Sequence, residues 1–80
     1  MVTVYTKPSC VQCNATYRAL DKKGIVYNSL DITQDDAALE RLKALGFQQA
    51  PVVEAPTGSW SGFNPGKIDE LAEFFKEPVG

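Results

Sequence analysis

The chain has 80 residues, the size of one small domain spanning residues 1–80. Its formal net charge is −2, so nucleic acid is not expected as a partner, because phosphate binding requires a basic face. No apolar run is long enough to cross a membrane and no leader precedes the first predicted strand. We therefore expect a cytoplasmic protein with no membrane partner.

The first half of the chain predicts a strand–helix–strand unit. Alternating β-branched residues indicate a strand at Val2–Thr6, which Lys7-Pro8-Ser9 ends. A helix is predicted from about Cys10 to Lys23, with Gly24 as its stop, followed by a second strand from Ile25 to Ile32. Such a unit implies two parallel strands joined by a right-handed crossover.

The next segment predicts a second helix and a hairpin. Thr33 is the predicted N-cap of this helix, with Asp36 as its acidic third position, and Gly46 marks the end. Short strands are predicted at Pro51–Glu54 and Ser59–Ser61, with turn residues between them. Two strands so close in sequence are expected to pair antiparallel.

The last predicted helix begins with Asn64 as N-cap and Pro65 as its first residue. Four apolar residues follow at the spacing of one helical face and are predicted to pack in the core. They are Ile68, Leu71, Ala72 and Phe75. The element order β-α-β-α-β-β-α predicts an α/β fold, with a mixed four-stranded sheet flanked by three helices.

Cys10 and Cys13 are the only cysteines, and they lie at the predicted start of the first helix. Unpaired N–H groups and the helix dipole stabilise a thiolate there, and the pKa of cysteines in such motifs falls to roughly 3.5–7.5. Cys10 is the expected nucleophile, and Cys13, one turn further, is the expected resolving thiol. Lys7 either adds positive charge nearby or is a solvated loop residue. Glu54 is a candidate to exchange a proton with Cys13.

Other uses of the cysteine pair are less favoured by the sequence. A structural disulfide closing so short a ring would stabilise the fold by only about 2 kcal/mol. A zinc site normally needs four ligands, and the chain has no histidine and no third cysteine. A cluster shared between two chains, or a redox-sensing module, remains an alternative. The strand before the pair and the helix after it favour thiol–disulfide exchange, with no metal ligands assigned.

Three stretches resemble the NrdH-type redoxins, which are glutaredoxin-like, thioredoxin-fold electron donors of class Ib ribonucleotide reductase. They are Val4–Cys13, continued by Asn14–Thr16, then Leu45–Val53 and Trp60–Pro65. The resemblance implies the thioredoxin fold and no bound cofactor. It also implies electrons from NADPH through thioredoxin reductase, and delivery to the large subunit of the class Ib ribonucleotide reductase. A monomer suits such a carrier.

The resemblance also implies site residues around the cysteines. Pro51 is expected to be cis, although its residue type alone fits a trans proline starting an edge strand equally well. The backbone of Ala50 is expected to offer strand-like hydrogen bonds to a peptide, and Trp60 to brace the hairpin and last helix. The full expected partner-binding set is Lys7, Val11, Gln12, Ala50, Pro51, Ser61, Gly62 and Phe63.

A glutathione-coupled glutaredoxin is the main alternative, and a metal- or cluster-binding dimer is the other. Glutathione-dependent glutaredoxins usually have Cys-Pro-Tyr-Cys, and a Gly-Gly pair with an acid before the last helix. Here the corresponding stretch, Ser61–Asn64, has a bulky ring and no acid, so glutathione binding should be weak. Asn64 and Gly66 depart from the Arg and the acid that are common in NrdH-type redoxins, which alters any partner contact made there.

Overall fold

A computed structural model describes residues 2–76, so Met1 and residues 77–80 of the predicted domain lie outside the described residues. Seven elements follow one another in the predicted order. They are β1 (Val2–Thr6), α1 (Val11–Lys22), β2 (Tyr27–Asp31), α2 (Asp36–Ala44), β3 (Val52–Ala55), β4 (Gly58–Ser61) and α3 (Pro65–Lys76). None of these helices has the length and apolar character needed to span a bilayer.

The four strands form one mixed sheet in the order β2-β1-β3-β4. β1 runs parallel to β2, with Val4 opposite Ser29, and antiparallel to β3, with Val4 opposite Val53. β3 and β4 form the predicted antiparallel hairpin, in which Val53 faces Trp60. The antiparallel pairing of the central strands β1 and β3 therefore joins the parallel pair β1–β2 to the hairpin β3–β4, and the α/β prediction is confirmed.

Side chains of the sheet pack against helices on both faces. One cluster joins the sheet to α1 and α3, and its members are Val2, Val4, Leu20, Ile25, Val53, Trp60, Ile68, Leu71 and Ala72. The other joins the sheet to α2 and consists of Tyr5, Ala38, Leu42 and Val52. Because side chains alternate along a strand, Val4 and Tyr5 point to opposite faces. The helix that carries the cysteines thus shares its face with α3, and Trp60 of the hairpin lies in the same cluster as residues of α3.

Two strands begin later than predicted. Ile25 was expected in β2, but its N–H donates to the carbonyl of Leu20 at 3.0 Å and closes the end of α1. The strand therefore starts at Tyr27. Pro51 was expected in β3, which starts at Val52, since proline has no N–H to donate to a ladder.

The predicted N-cap of α2 is wrong. Asp35 holds that position, and its Oδ1 accepts the N–H of Ala38 at 3.0 Å. Thr33 instead belongs to the turn after β2, where its N–H and hydroxyl both donate to Asp31 Oδ1, at 2.8 and 2.6 Å. Thr33 is thus part of the turn before the helix, and Asp35 is the residue whose side chain caps it.

The last helix begins as predicted, but one of its four predicted core residues is exposed. Asn64 Oδ1 accepts the N–H of Lys67 at 3.1 Å, which is the predicted cap, and Pro65 is the first helical residue. Phe75 was predicted to lie in the core, but it is 49% exposed. It lies in the last turn of α3, where it stacks edge-on against Phe74 with ring centroids 5.4 Å apart. It also lines a surface groove with Val26 and with Ile25 and Ala72, which lie at the edge of the apolar cluster.

Candidate active site

A sharp turn carries the chain from the end of β1 into α1. Ser9 has φ of +57°, the left-handed region that non-glycine residues rarely adopt, and it reverses the chain after Pro8. Cys10 then takes an extended conformation as the N-cap of α1, with φ of −108° and ψ of 106°. The helix proper begins at Val11, one residue after the predicted start.

Cys10 and Cys13 form a disulfide across the first turn of α1, with Cα atoms 5.2 Å apart. Cys10 Sγ accepts the backbone N–H of Cys13 at 3.1 Å, the hydrogen bond of an N-cap side chain. Cys10 is 9% exposed and Cys13 is 1% exposed, so solvent reaches the pair through Cys10. Within residues 2–76, no three or more Cys, Asp or Glu side chains are grouped to hold a metal ion.

A fully buried threonine supports the first turns of α1. Thr16 is 0% exposed, and its hydroxyl donates to the carbonyl of Gln12 at 2.8 Å. This bond satisfies the hydroxyl inside the apolar environment, as buried polar groups require. The sequence alone does not reveal this role of Thr16, because a threonine at a helical position gives no sign of its burial.

Several predicted site residues are joined by hydrogen bonds between distant segments. The N–H of Phe63 donates to Gln12 Oε1 at 3.1 Å, and the N–H of Gly62 donates to the carbonyl of Pro51 at 2.8 Å. The Ala50–Pro51 bond is cis, as the resemblance implied. The start of α1, the cis-proline and the segment between β4 and α3 therefore form one connected site.

The expected partner-binding residues differ in exposure. Pro51 is buried and Ala50 is partly buried, whereas Lys7, Gln12 and Ser61 are exposed. Gly62 has intermediate exposure. Two apolar side chains of this region face solvent: Val11 is 82% exposed and Phe63 is 40% exposed. The site thus combines a sulfur at a helix start with apolar surface.

Glu54 lies away from the cysteines and is not the proton partner suggested for Cys13. Its Oε1 accepts the Tyr5 hydroxyl at 2.6 Å, and its carboxylate forms an ion pair with Arg41 of α2. Tyr5 and α2 pack on the face of the sheet opposite to α1. The hydrogen bonds from Arg41 and Tyr5 lower the pKa of Glu54. Burial, and then the hydrogen bond to Glu54, raise the pKa of Tyr5.

This β-α-β-α-β-β-α fold has a disulfide at the start of its first helix and a cis-proline before its third strand. Together they define a thioredoxin-fold thiol–disulfide oxidoreductase. The family model named Glutaredoxin matches residues 2–56. The chain belongs to the glutaredoxin family.

Similarity to individual proteins narrows the assignment of the chain within this family. It is 44% identical over 70 residues to the glutaredoxin-like protein NrdH of Escherichia coli K12, covering 88% of this chain and 86% of that protein. It is 35% identical over 72 residues to NrdH of Lactococcus lactis subsp. cremoris, covering 90% of this chain and all of that one. The solved structure of Escherichia coli NrdH-redoxin superposes with a TM-score of 0.84 at 40% identity, covering 99% of this chain and 97% of that one. The resemblance to NrdH-type redoxins is confirmed.

Proposed function

We propose that this oxidoreductase carries electrons from NADPH, through thioredoxin reductase, to a disulfide in the large subunit of a class Ib ribonucleotide reductase. The observation that carries the proposal is the likeness to NrdH proteins over most of the chain. The solved NrdH-redoxin of Escherichia coli is a glutaredoxin-like protein with a thioredoxin-like activity profile. That profile favours thioredoxin reductase over glutathione as the electron source for this chain.

The proposed reaction uses the two cysteines in sequence. In the reduced protein, the Cys10 thiolate attacks a target disulfide, one target sulfur leaves, and a mixed disulfide forms. The Cys13 thiolate then attacks Cys10 Sγ, so the target leaves as a dithiol and the Cys10–Cys13 disulfide forms. The two electrons pass to the target. Thioredoxin reductase restores the dithiol by the reverse exchange. The greater exposure of Cys10 supports its role as nucleophile.

Protein partners would bind the surface around Cys10. Exposed Val11 and Phe63 supply apolar contact area, and the Ala50 backbone beside Pro51 supplies hydrogen bonds to an extended segment. Lys7 and Ser61 complete the exposed border of this surface. We propose that the carrier works in the cytoplasm as a monomer, because a reducing compartment suits this cycle and a monomer suits a carrier that meets two partners in turn.

An NADPH-oxidation assay tests the electron source. The oxidised protein receives electrons either from thioredoxin reductase or from glutathione with glutathione reductase, and Cys10→Ser is the inactive control. We expect rapid turnover with thioredoxin reductase and little with glutathione. Preference for glutathione would make the protein a glutathione-coupled glutaredoxin. Turnover with neither source would contradict both functions and favour the metal- or cluster-binding dimer.

The electron acceptor needs its own test. A class Ib ribonucleotide reductase freed of small dithiols is supplied with NADPH, thioredoxin reductase and this protein, and deoxyribonucleotide formation is measured. We expect formation to rise with the concentration of the wild-type protein and to be absent with Cys10→Ser. Equal formation with and without the protein would refute the proposed acceptor while leaving the electron source intact.

A further inference from the structure

Gln12 lies between the two cysteines, yet its side chain bonds to another part of the protein. Its Oε1 accepts the N–H of Phe63 at 3.1 Å, whereas the preceding Val11 side chain is 82% exposed. The bond connects residues 51 positions apart. It therefore belongs to the folded site and not to local helix geometry.

Gly62 has no side chain, which leaves room for the same Gln12 oxygen. It has φ of +79°, and a Cβ at this position would lie 3.2 Å from Gln12 Oε1. The N–H of Gly62 is bonded to the carbonyl of Pro51 at 2.8 Å. The Gln12 oxygen thus lies against two consecutive residues of a loop that is itself bonded to the cis-proline.

The two loop N–H groups beside the Gln12 oxygen are already hydrogen-bonded within the protein. Backbone N–H groups that lead into a helix attract carboxylates. Here the Phe63 N–H is occupied by Gln12 Oε1, the Gly62 N–H by Pro51, and the Lys67 N–H by Asn64 Oδ1. A carboxylate approaching Phe63 would meet the partial negative charge of an amide oxygen instead of a free donor.

We propose that Gln12 is a positioning residue that determines specificity: by occupying the Phe63 N–H, it selects against small thiols that carry a carboxylate. The same bond holds Phe63 in the loop at the surface, where it is 40% exposed and available to an apolar protein surface. This proposal deepens the proposed function. It rests on that function only in requiring that the Cys10–Cys13 disulfide reacts with thiols.

This selection can be measured through the rate at which a monothiol reduces the Cys10–Cys13 disulfide. The thiolate attacks Cys10 Sγ, the Cys10–Cys13 bond breaks, and Cys13 leaves as a thiolate that takes a proton from water. A second monothiol thiolate attacks the mixed disulfide, which releases the disulfide of the monothiol and the Cys10 thiolate. The two thiol molecules supply the two electrons.

Glutathione and its diethyl ester are matched probes, because the ester lacks free carboxylates. The oxidised protein is mixed with each thiol, and the rate of reduction per thiolate is measured by acid quenching and chromatography. In Gln12→Leu the Phe63 N–H is released, and the ratio of the glutathione rate to the ester rate should rise about tenfold, the effect of one hydrogen bond to a charged group. Gln34→Leu makes the same substitution at an exposed turn residue and should leave the ratio unchanged.

Gln12→Glu is a second test, because it keeps an acceptor oxygen and adds negative charge. The ratio of the glutathione rate to the ester rate should be lower in Gln12→Glu than in the wild type. A wild-type ratio in folded Gln12→Leu overturns the inference. If Gln12→Leu does not fold, a ratio in Gln12→Glu at or above the wild-type value overturns it. The reductase assay separates the two proposals: a raised ratio in Gln12→Leu without turnover by thioredoxin reductase refutes only the proposed electron source.

Discussion

The backbone N–H of Cys13 donates a hydrogen bond to Sγ of Cys10 across 3.1 Å. The donor belongs to the third residue of α1, and the acceptor is the N-cap side chain. A sulfur in this position faces the positive end of the helix, where the negative charge of a thiolate is stabilised. The bond therefore favours Cys10 as the attacking group, and the burial of Cys13 adds to the difference.

The first prediction concerns the reactivity of the reduced protein. With limiting iodoacetamide at neutral pH, Cys10 should be alkylated at least about tenfold faster than Cys13, because a hydrogen bond to a charged group is worth about 1.5–3 kcal/mol. Peptide mapping by mass spectrometry measures the two sites separately, and the unfolded protein is the control. Equal labelling of both cysteines in the folded protein would refute the assignment.

The second prediction separates attack from resolution. With an aromatic disulfide reagent, the reduced wild-type protein should release both reagent thiols, because Cys13 displaces the second one from Cys10. Cys13→Ser should release only one and retain the other as a stable mixed disulfide, visible in the intact mass. Cys10→Ser should react slowly, since Cys13 is 1% exposed. Trapping in Cys10→Ser instead of Cys13→Ser would reverse the two roles.

Features set by neighbouring residues were predictable from the sequence. The start of α3 follows from Asn64 and Pro65 alone, and the structure contains the predicted cap. The start of α2 was not predictable in this way, because Thr33 and Asp35 are both good caps. The choice depended on Asp31, which holds Thr33 in a turn.

Features set by distant contacts were not predictable. The spacing of Phe75 assigns it correctly to the apolar face of α3, but periodicity does not show that the core cluster ends before it. Gln12 is in the partner-binding set that the resemblance implies, with no contact within the protein predicted for its side chain. Its bond to Phe63 arises only when the folded chain brings together residues 51 positions apart.

The third prediction compares two glycines, Gly62 before α3 and Gly66 in its first turn. Gly62→Ala should lower the free energy of unfolding by about 1–2 kcal/mol, because φ of +79° is unfavourable for a residue with a Cβ. The new Cβ would also crowd Gln12 Oε1 at 3.2 Å. Gly66→Ala is the matched control. Gly66 lies in the first turn of α3, and a Cβ added there would lie 3.4 Å from Asn64 Oδ1. Urea denaturation measures both, and equal stability of the two variants would contradict the strain argument.

The last prediction concerns stability in acid, through the Tyr5–Glu54–Arg41 group. Hydrogen bonds from Arg41 and Tyr5 lower the pKa of Glu54 below its ordinary 4.5, so the folded state favours the carboxylate. The resulting stabilisation is fully present above about pH 4.5 and is lost as the pH falls through the lower folded-state value. Glu54→Gln removes the charge and keeps an acceptor for Tyr5. It should lower the free energy of unfolding by about 1 kcal/mol at neutral pH.

Urea unfolding of wild type and Glu54→Gln at several pH values from about 7 down to about 3 tests this dependence. The two stabilities should converge as the pH falls, because the wild type alone loses a charged hydrogen bond there. Glu73→Gln makes the same change at an exposed position of α3 and should follow the wild type closely. A constant gap between wild type and Glu54→Gln across this range would show that the Glu54 charge does not stabilise the fold. The Tyr5–Glu54–Arg41 group would then contribute to the free energy of unfolding only through hydrogen bonds that do not depend on the charge.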